Sequence, residues 1–143
     1  MTNIQAAILY GQLEILPQIL DMKQNIFNIY NNSLKNHQKI LTQSISQGTN
    51  HSNWMFGIRV LNNPNYETAE LFFKNNNIEI RPMFYPITEH SYLIENPDVH
   101  ISDCSNASLL NKECFILPSY PELSTEDQKY ILKILNEYVI SFK

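Results

Sequence analysis

The sequence predicts a small mixed α/β (α+β) fold, with two long N-terminal helices followed by three short strands packed against helices. Three observations predict it. Apolar residues in the first third recur at steps of three and four, the helical period. "WMFGIRVL", "IEIRP" and "CFILP" are short β-type runs bounded by turn residues. Helical patterns separate these runs along the chain, and there is no internal repeat. At 143 residues with 43% hydrophobic content, the chain is long enough for one compact domain with its own core.

The elements follow in order. Ile4, Ala7, Ile8, Gly11 and Ile15 mark a first helix. Pro17 removes a backbone donor and is expected to kink or restart it. Ile19, Met22, Ile26, Tyr30 and Leu34 continue the spacing to about Asn36 as a second long helix, so residues 1–36 are expected to form a helix pair and 37–143 the compact unit. Residues 37–53 are polar, contain Gly48 and read as a loop. In "WMFGIRVL" Trp54, Phe56, Ile58 and Val60 fall on one side of a strand. Asn63-Pro64, a cap residue before a proline, opens a helix that buries Ala69, Phe72 and Phe73 and stops at asparagines 75–77. "IEIRP" (78–82) is the second strand, and Pro82 to Pro97 forms an ordered, proline-punctuated loop. Ser102-Asp103 is expected to cap a short helix with Ala107 and Leu110 inward. "CFILP" is the third strand. Ser124, three residues before Asp127, starts a last helix whose inward stripe is Ile131, Ile134, Leu135 and Tyr138.

Composition excludes several function classes. A formal net charge of −4, with Arg59 and Arg81 the two arginines, leaves no basic footprint for nucleic acid. No apolar run approaches the roughly 18 residues that span a bilayer. No basic-then-apolar leader precedes the first helix, so a cytoplasmic protein is expected. The Asn-x-Ser triplets at Asn31, Asn50 and Asn106 then reflect an asparagine-rich composition. Cys104 and Cys114 are expected as reduced, packed thiols, with a disulfide as the alternative. His37, His51, His90 and His100 lack HExxH or HxxxH spacing, so no metal site is expected. The three glycines are too dispersed to form a phosphate cradle. One stretch, "EIRPMFYPITEHSY", exceeds what packing needs. It places an arginine, two tyrosines, a threonine and a histidine in a proline-stiffened segment, which suits either a pre-organised binding edge or a loop rigidified for stability.

Four blocks in order resemble the DegT-type (perosamine-synthase-like) sugar aminotransferases, which depend on pyridoxal phosphate. "MTNIQAAILYGQLEIL" resembles their R-M-S/T-x-x-Q-A-A-x-x-x-x-Q-L segment and "NWMFGIRV" their W-M-F/Y strand. "NNIEIRPMFYPITEHSY" is similar to their R-P-F-F-Y-P-x-H loop, and "CFILPSYPELSTEDQKYILKIL" to their closing L-P-S-Y-P-x-L-T segment. The resemblance spans essentially the whole chain, but only the C-terminal portion of a family member. It implies the small C-terminal domain of a fold-type-I aminotransferase, with the sequence beginning inside what the family treats as a mid-protein helix.

The family's large domain supplies the Schiff-base lysine, the carboxylate paired with the cofactor ring nitrogen and the phosphate-binding loop. None of these can be placed here, and Lys74, Lys112 and Lys129 sit at polar helix positions unsuited to an activated amine. No catalytic residue and no bound cofactor are therefore expected for the chain alone, although the family implies pyridoxal phosphate. By resemblance Arg81, Tyr85, Thr88 and His90 lie near a nucleotide-sugar site at a dimer interface. Thr88 stands where family members commonly carry histidine, and His90 follows two residues on. The implied partners are a chain carrying the large domain, a second copy, and a nucleotide sugar. The implied function is one part of a split aminotransferase; the alternatives are a non-enzymatic binding or dimerising module and an inactive remnant.

Overall fold

A computed structural model describes residues 1–142. Its mixed α/β architecture has five α-helices and one four-stranded antiparallel sheet. In chain order the elements are α1 (Asn3–Leu34), β1 (Ile40–Thr42), β2 (Phe56–Val60), α2 (Tyr66–Asn75), β3 (Arg81–Pro82), α3 (Ser91–Ile94), α4 (Ser105–Glu113), β4 (Cys114–Leu117) and α5 (Thr125–Ser141). The sheet order is β1-β2-β4-β3, with Ile58 opposite Phe115 at its centre and Arg81 opposite Ile116 at one edge.

The expected pair of N-terminal helices is one continuous helix of 32 residues running through Pro17. Leu13 and Pro17 both face solvent, so water can satisfy the Leu13 carbonyl that proline cannot bond. Upstream, Thr2 and Gln5 close a capping box, the Thr2 amide donating to Gln5 Oε1 at 2.8 Å. Downstream, Ile26, Phe27, Tyr30 and Leu34 are buried in the core. The helix is thus held at both ends of its weak point. The same helix splits sharply in burial. Ile4, Ile8, Leu9, Leu13, Ile15, Leu16 and Leu20 are all exposed, from 39% to 75%. At about 100° per residue these seven spread over roughly 180° of the helix, wider than the ~100° stripe that one partner layer covers.

Four further details differ from expectation. β1 lies inside the stretch read as loop, because three residues with one buried side chain, Ile40, give no periodic signal. α2 begins after Asn65, whose side chain accepts the Thr68 amide at 2.8 Å. Asn63 is not that cap: it is buried, donating from Nδ2 to the Asn65 and Lys112 carbonyls and accepting from Tyr138. The strand expected over 78–82 is reduced to Arg81–Pro82, although Ile78 and Ile80 are buried as core. In α4 Ala107 and Leu110 are exposed rather than inward. The helix turns a polar side to the protein instead, where Ser108 donates to Glu89, Asn111 to the Met83 and Phe84 carbonyls, and Glu113 takes Arg59 Nε at 2.6 Å.

The core lies on one sheet face. Phe56, Ile58 and Val60 of β2 and Phe115 and Leu117 of β4 meet Phe73 of α2 and Ile131, Ile134, Leu135 and Tyr138 of α5, with Phe73, Phe115 and Tyr138 in mutual ring contact. The α5 stripe is as expected, and Ser124 caps it by accepting the Asp127 amide at 3.0 Å. Asparagines serve the turns: Asn53, Asn62 and Asn77 adopt positive φ, a region asparagine tolerates better than most residues. Cys104 is exposed and Cys114 buried, both as free thiols. Among the described residues no helix is long and apolar enough to cross a membrane.

Candidate functional site

The proline-stiffened loop is anchored from below. Met83 reaches over Gly57 of β2, where an added Cβ would sit 3.2 Å from its Cε. Glycine there lets the loop cross the sheet closely. Asn111 Nδ2 holds the next turn through the Met83 and Phe84 carbonyls at 3.1 and 3.2 Å. A 3₁₀ turn, Ile87–Glu89, then brings the side chains of the loop round on themselves.

Three of the four residues implied by resemblance gather at this turn. The Tyr85 and His90 rings meet edge-to-face with centroids 5.1 Å apart, and Tyr92 lies 5.3 Å from His90 on the other side. Tyr85 Oη donates to the Glu89 carbonyl at 3.4 Å. Thr88 is half-buried within the turn itself. Arg81 is not part of that cluster. It sits on the edge strand β3, and its Nε lies 4.0 Å from Glu79 Oε1, with both side chains largely in solvent. Such an exposed pair contributes little, so the guanidinium fork stays available to a planar anion.

Arg81 borders a cleft of about 620 Å³. The cleft forms where β3 and β4 part after the Arg81–Ile116 pair. Asn77, Ile78 and Glu79 make one wall and Leu117 to Tyr120 another; Lys23 of α1 and Asp127 and Tyr130 of α5 close it, with Trp54 at the rim. Sequence reasoning missed these groups. Trp54 is exposed instead of inward because β2 begins two residues later, and its ring stacks on Phe84 at 6.3 Å. Lys23 did leave a signal: a lysine at the spacing of the buried stripe, three residues before Ile26. Its ammonium donates to the carbonyls of Trp54, at 2.8 Å, and of Ser119, and burial pushes its pKa below the ordinary lysine value.

Burial also raises the tyrosine hydroxyls in the core, Tyr138 to about 12, and Tyr66 to about 12 with a further push from Glu70. These are packing consequences away from the cleft. Among the described residues no group of three or more His, Cys, Asp or Glu side chains is placed to hold a metal.

The described residues do not fit a pyridoxal phosphate site. Lys23 and Lys39 donate to backbone carbonyls, and Lys35, Lys74, Lys112, Lys129 and Lys133 are exposed. A Schiff base needs an amine freed of its proton by a desolvated or cationic setting. What the described residues present is an exposed guanidinium fork, an aromatic pair at the rim and a stiff loop.

Comparison with known proteins agrees with this partial character. The model of the DegT/DnrJ/EryC1/StrS aminotransferase family matches residues 1–136. The GDP-perosamine synthase of Vibrio cholerae is 31% identical over 145 aligned residues, a match covering 96% of this chain and 37% of that protein. Helicobacter pylori PseC, an aminotransferase involved in the biosynthesis of pseudoaminic acid, superposes with a TM-score of 0.82 at 16% identity, over 97% of this chain and 38% of its own. The Escherichia coli GDP-4-keto-6-deoxy-D-mannose-3-dehydratase with bound hydrated PLP gives 0.77 at 15% identity, over 88% and 33%. At such identities the two structures speak to the fold alone. In each case the chain spans about a third of its relative's length.

Proposed function

Because the chain belongs to the DegT/DnrJ/EryC1/StrS aminotransferase family, we propose that it acts as the C-terminal, small-domain portion of a nucleotide-sugar aminotransferase. In this reading the large-domain portion, equivalent to the part of its relatives that this chain does not cover, supplies the lysine and holds pyridoxal phosphate. The present chain supplies the substrate-facing edge. Arg81 offers its fork to a phosphate of the nucleotide sugar, and Tyr85, Thr88 and His90, on the separate turn that follows, form a second contact surface.

One observation carries the proposal: seven large apolar side chains stand exposed on the first five turns of α1, in a chain that covers only 37% of its relative. Between Asn3 and Leu20 the helix bears one charged side chain, Glu14. A face so wide and apolar marks an interface. In this reading the large domain covers that face. Transamination of a keto-sugar nucleotide then requires both portions.

The test is reconstitution. The chain is mixed with the cofactor-bearing portion of a relative such as the Vibrio cholerae enzyme, and amino transfer from an amino-acid donor to a keto-sugar nucleotide is followed. Activity should need both components and fall with Arg81→Lys. A complex that forms without activity would favour a non-enzymatic dimerising module. Neither complex nor activity would leave an inactive remnant.

A further inference from the structure

We propose that Lys23 is a positioning residue: its ammonium bridges two facing chain ends of the sheet, so that the placement of α1 sets the shape of the Arg81 cleft.

The β2–β4 ladder ends at Phe56 opposite Leu117. Continuing that register by two residues sets Trp54 opposite Ser119. The ladder does not continue, and Pro118 between them has no N–H to give. Both carbonyls of that absent rung instead accept from Lys23 Nζ, across 31 and 96 residues of sequence. Such charge-assisted bonds are stronger than neutral ones, and an apolar side chain of similar length supplies no donor to either carbonyl.

The neighbouring bonds come from the same helix. Tyr30 Oη donates to the Pro118 carbonyl at 2.9 Å, and Gln128 Nε2 of α5 donates to the Ile26 carbonyl at 3.1 Å. The segment leaving β4 is therefore fastened to α1 at two successive carbonyls. Trp54, Pro118 and Ser119 all line the cleft. A shift of α1 therefore moves its rim and one wall together. The Lys23 ammonium also lies over the Phe27 ring, 5.8 Å from its centroid, a cation–π contact that adds to its hold on this position.

Trp54 is the single tryptophan of the chain, so the pinned segment carries its own reporter. The experiment compares wild type with Lys23→Met, which keeps the stem and loses the donors, and Lys23→Arg, which keeps charge and donors. Acrylamide quenching of Trp54 and amide exchange over residues 119–123 are the readouts, with circular dichroism confirming helix content. Lys23→Met should quench faster and exchange faster, and Lys23→Arg should stay near wild type. Unchanged quenching and exchange in Lys23→Met, or equal changes in both variants, would overturn the proposal. If Lys23→Met fails to fold, nitrogen-detected NMR of the lysine ammonium groups in wild type and Lys23→Arg decides. One signal protected from exchange at neutral pH, missing from Lys23→Arg, is expected. Its absence from wild type would overturn the proposal.

Discussion

Replacing Ile8, Leu13 and Leu16 together by glutamine should make the chain monomeric without weakening its fold. The reasoning rests on what these side chains touch. They are 65%, 53% and 39% exposed, on a stretch of α1 that lies beyond the buried stripe. Fully burying one such side chain is worth about 1.5–3 kcal/mol, so a half-exposed one retains roughly 1 kcal/mol of unrealised burial. Seven of them offer about 7 kcal/mol to whatever covers the face, comparable with the ~4–15 kcal/mol that association itself costs. The isolated chain should therefore associate weakly and in a concentration-dependent way. Sedimentation velocity over a concentration series would show this for wild type and its loss in the triple variant. Denaturant melts should leave the midpoint unchanged. Phe27→Ala, on the buried half of the same helix, should cost about 3–5 kcal/mol by contrast. Wild type that stays monomeric throughout, or a triple variant destabilised like Phe27→Ala, would refute the reasoning.

Tyr138→Phe should cost about 1–3 kcal/mol in denaturant melts, because it strands the Oδ1 of buried Asn63, which now accepts from Tyr138 Oη at 2.5 Å; an unchanged midpoint would contradict that network. Stability should fall between about pH 10 and 12, followed by tyrosinate absorbance and circular dichroism together. Tyr66 and Tyr138 are raised from the ordinary 10.0 to about 12, and Tyr30 is raised as well. The unfolded chain thus loses these protons first, and the stabilisation present below the unfolded value disappears as pH climbs through the folded ones. Lys23, lowered in the fold, works in the opposite sense and should only blunt the fall; ionisation of all tyrosines at one ordinary pH would show that the core is not closed. Pyridoxal phosphate added to the chain alone and reduced with borohydride should leave no stoichiometric adduct at a single lysine, and a specific adduct would contradict the reading of the lysines as exposed or engaged.

Much of the fold was legible because burial imposed a period. The stripe of α5, the β2 alternation from Phe56 to Val60, and the fully buried β4 each repeat their signal over at least four residues. Ser124 and the asparagines 75–77 marked boundaries by the bonds they can make. The misreadings share a cause. Pro17 is a strong local breaker, yet a helix fixed by a cap upstream and a packed half downstream continues through it. Asn63-Pro64 carries a cap signature, but Asn63 is taken by Tyr138 and Lys112 from distant parts of the chain, leaving Asn65 to cap. β1 gave no pattern, with one buried side chain, whereas α4 forms as the short helix expected and only its inward face was misread, because that face is polar.

The candidate site was legible in its loop and not in its cleft. Prolines and aromatic residues announced a stiff edge, and three of the implied residues, Tyr85, Thr88 and His90, do come together there. The cleft beside Arg81 is assembled from α1, the segment before β2, the residues leading into β3, β4 and α5, so no contiguous motif could reveal it. Lys23 shows the limit best. Its meaning depends on two backbone carbonyls that face each other only once the sheet has formed.

The most direct test of the chain as a dependent portion of a larger aminotransferase is native mass spectrometry of its mixture with the cofactor-bearing portion of a relative. Wild type should form a stoichiometric complex, and the Ile8, Leu13 and Leu16 triple glutamine variant, folded as before, should not. A wild-type chain that remains alone at every mixing ratio, or a triple variant that binds as well as wild type, would contradict that dependence.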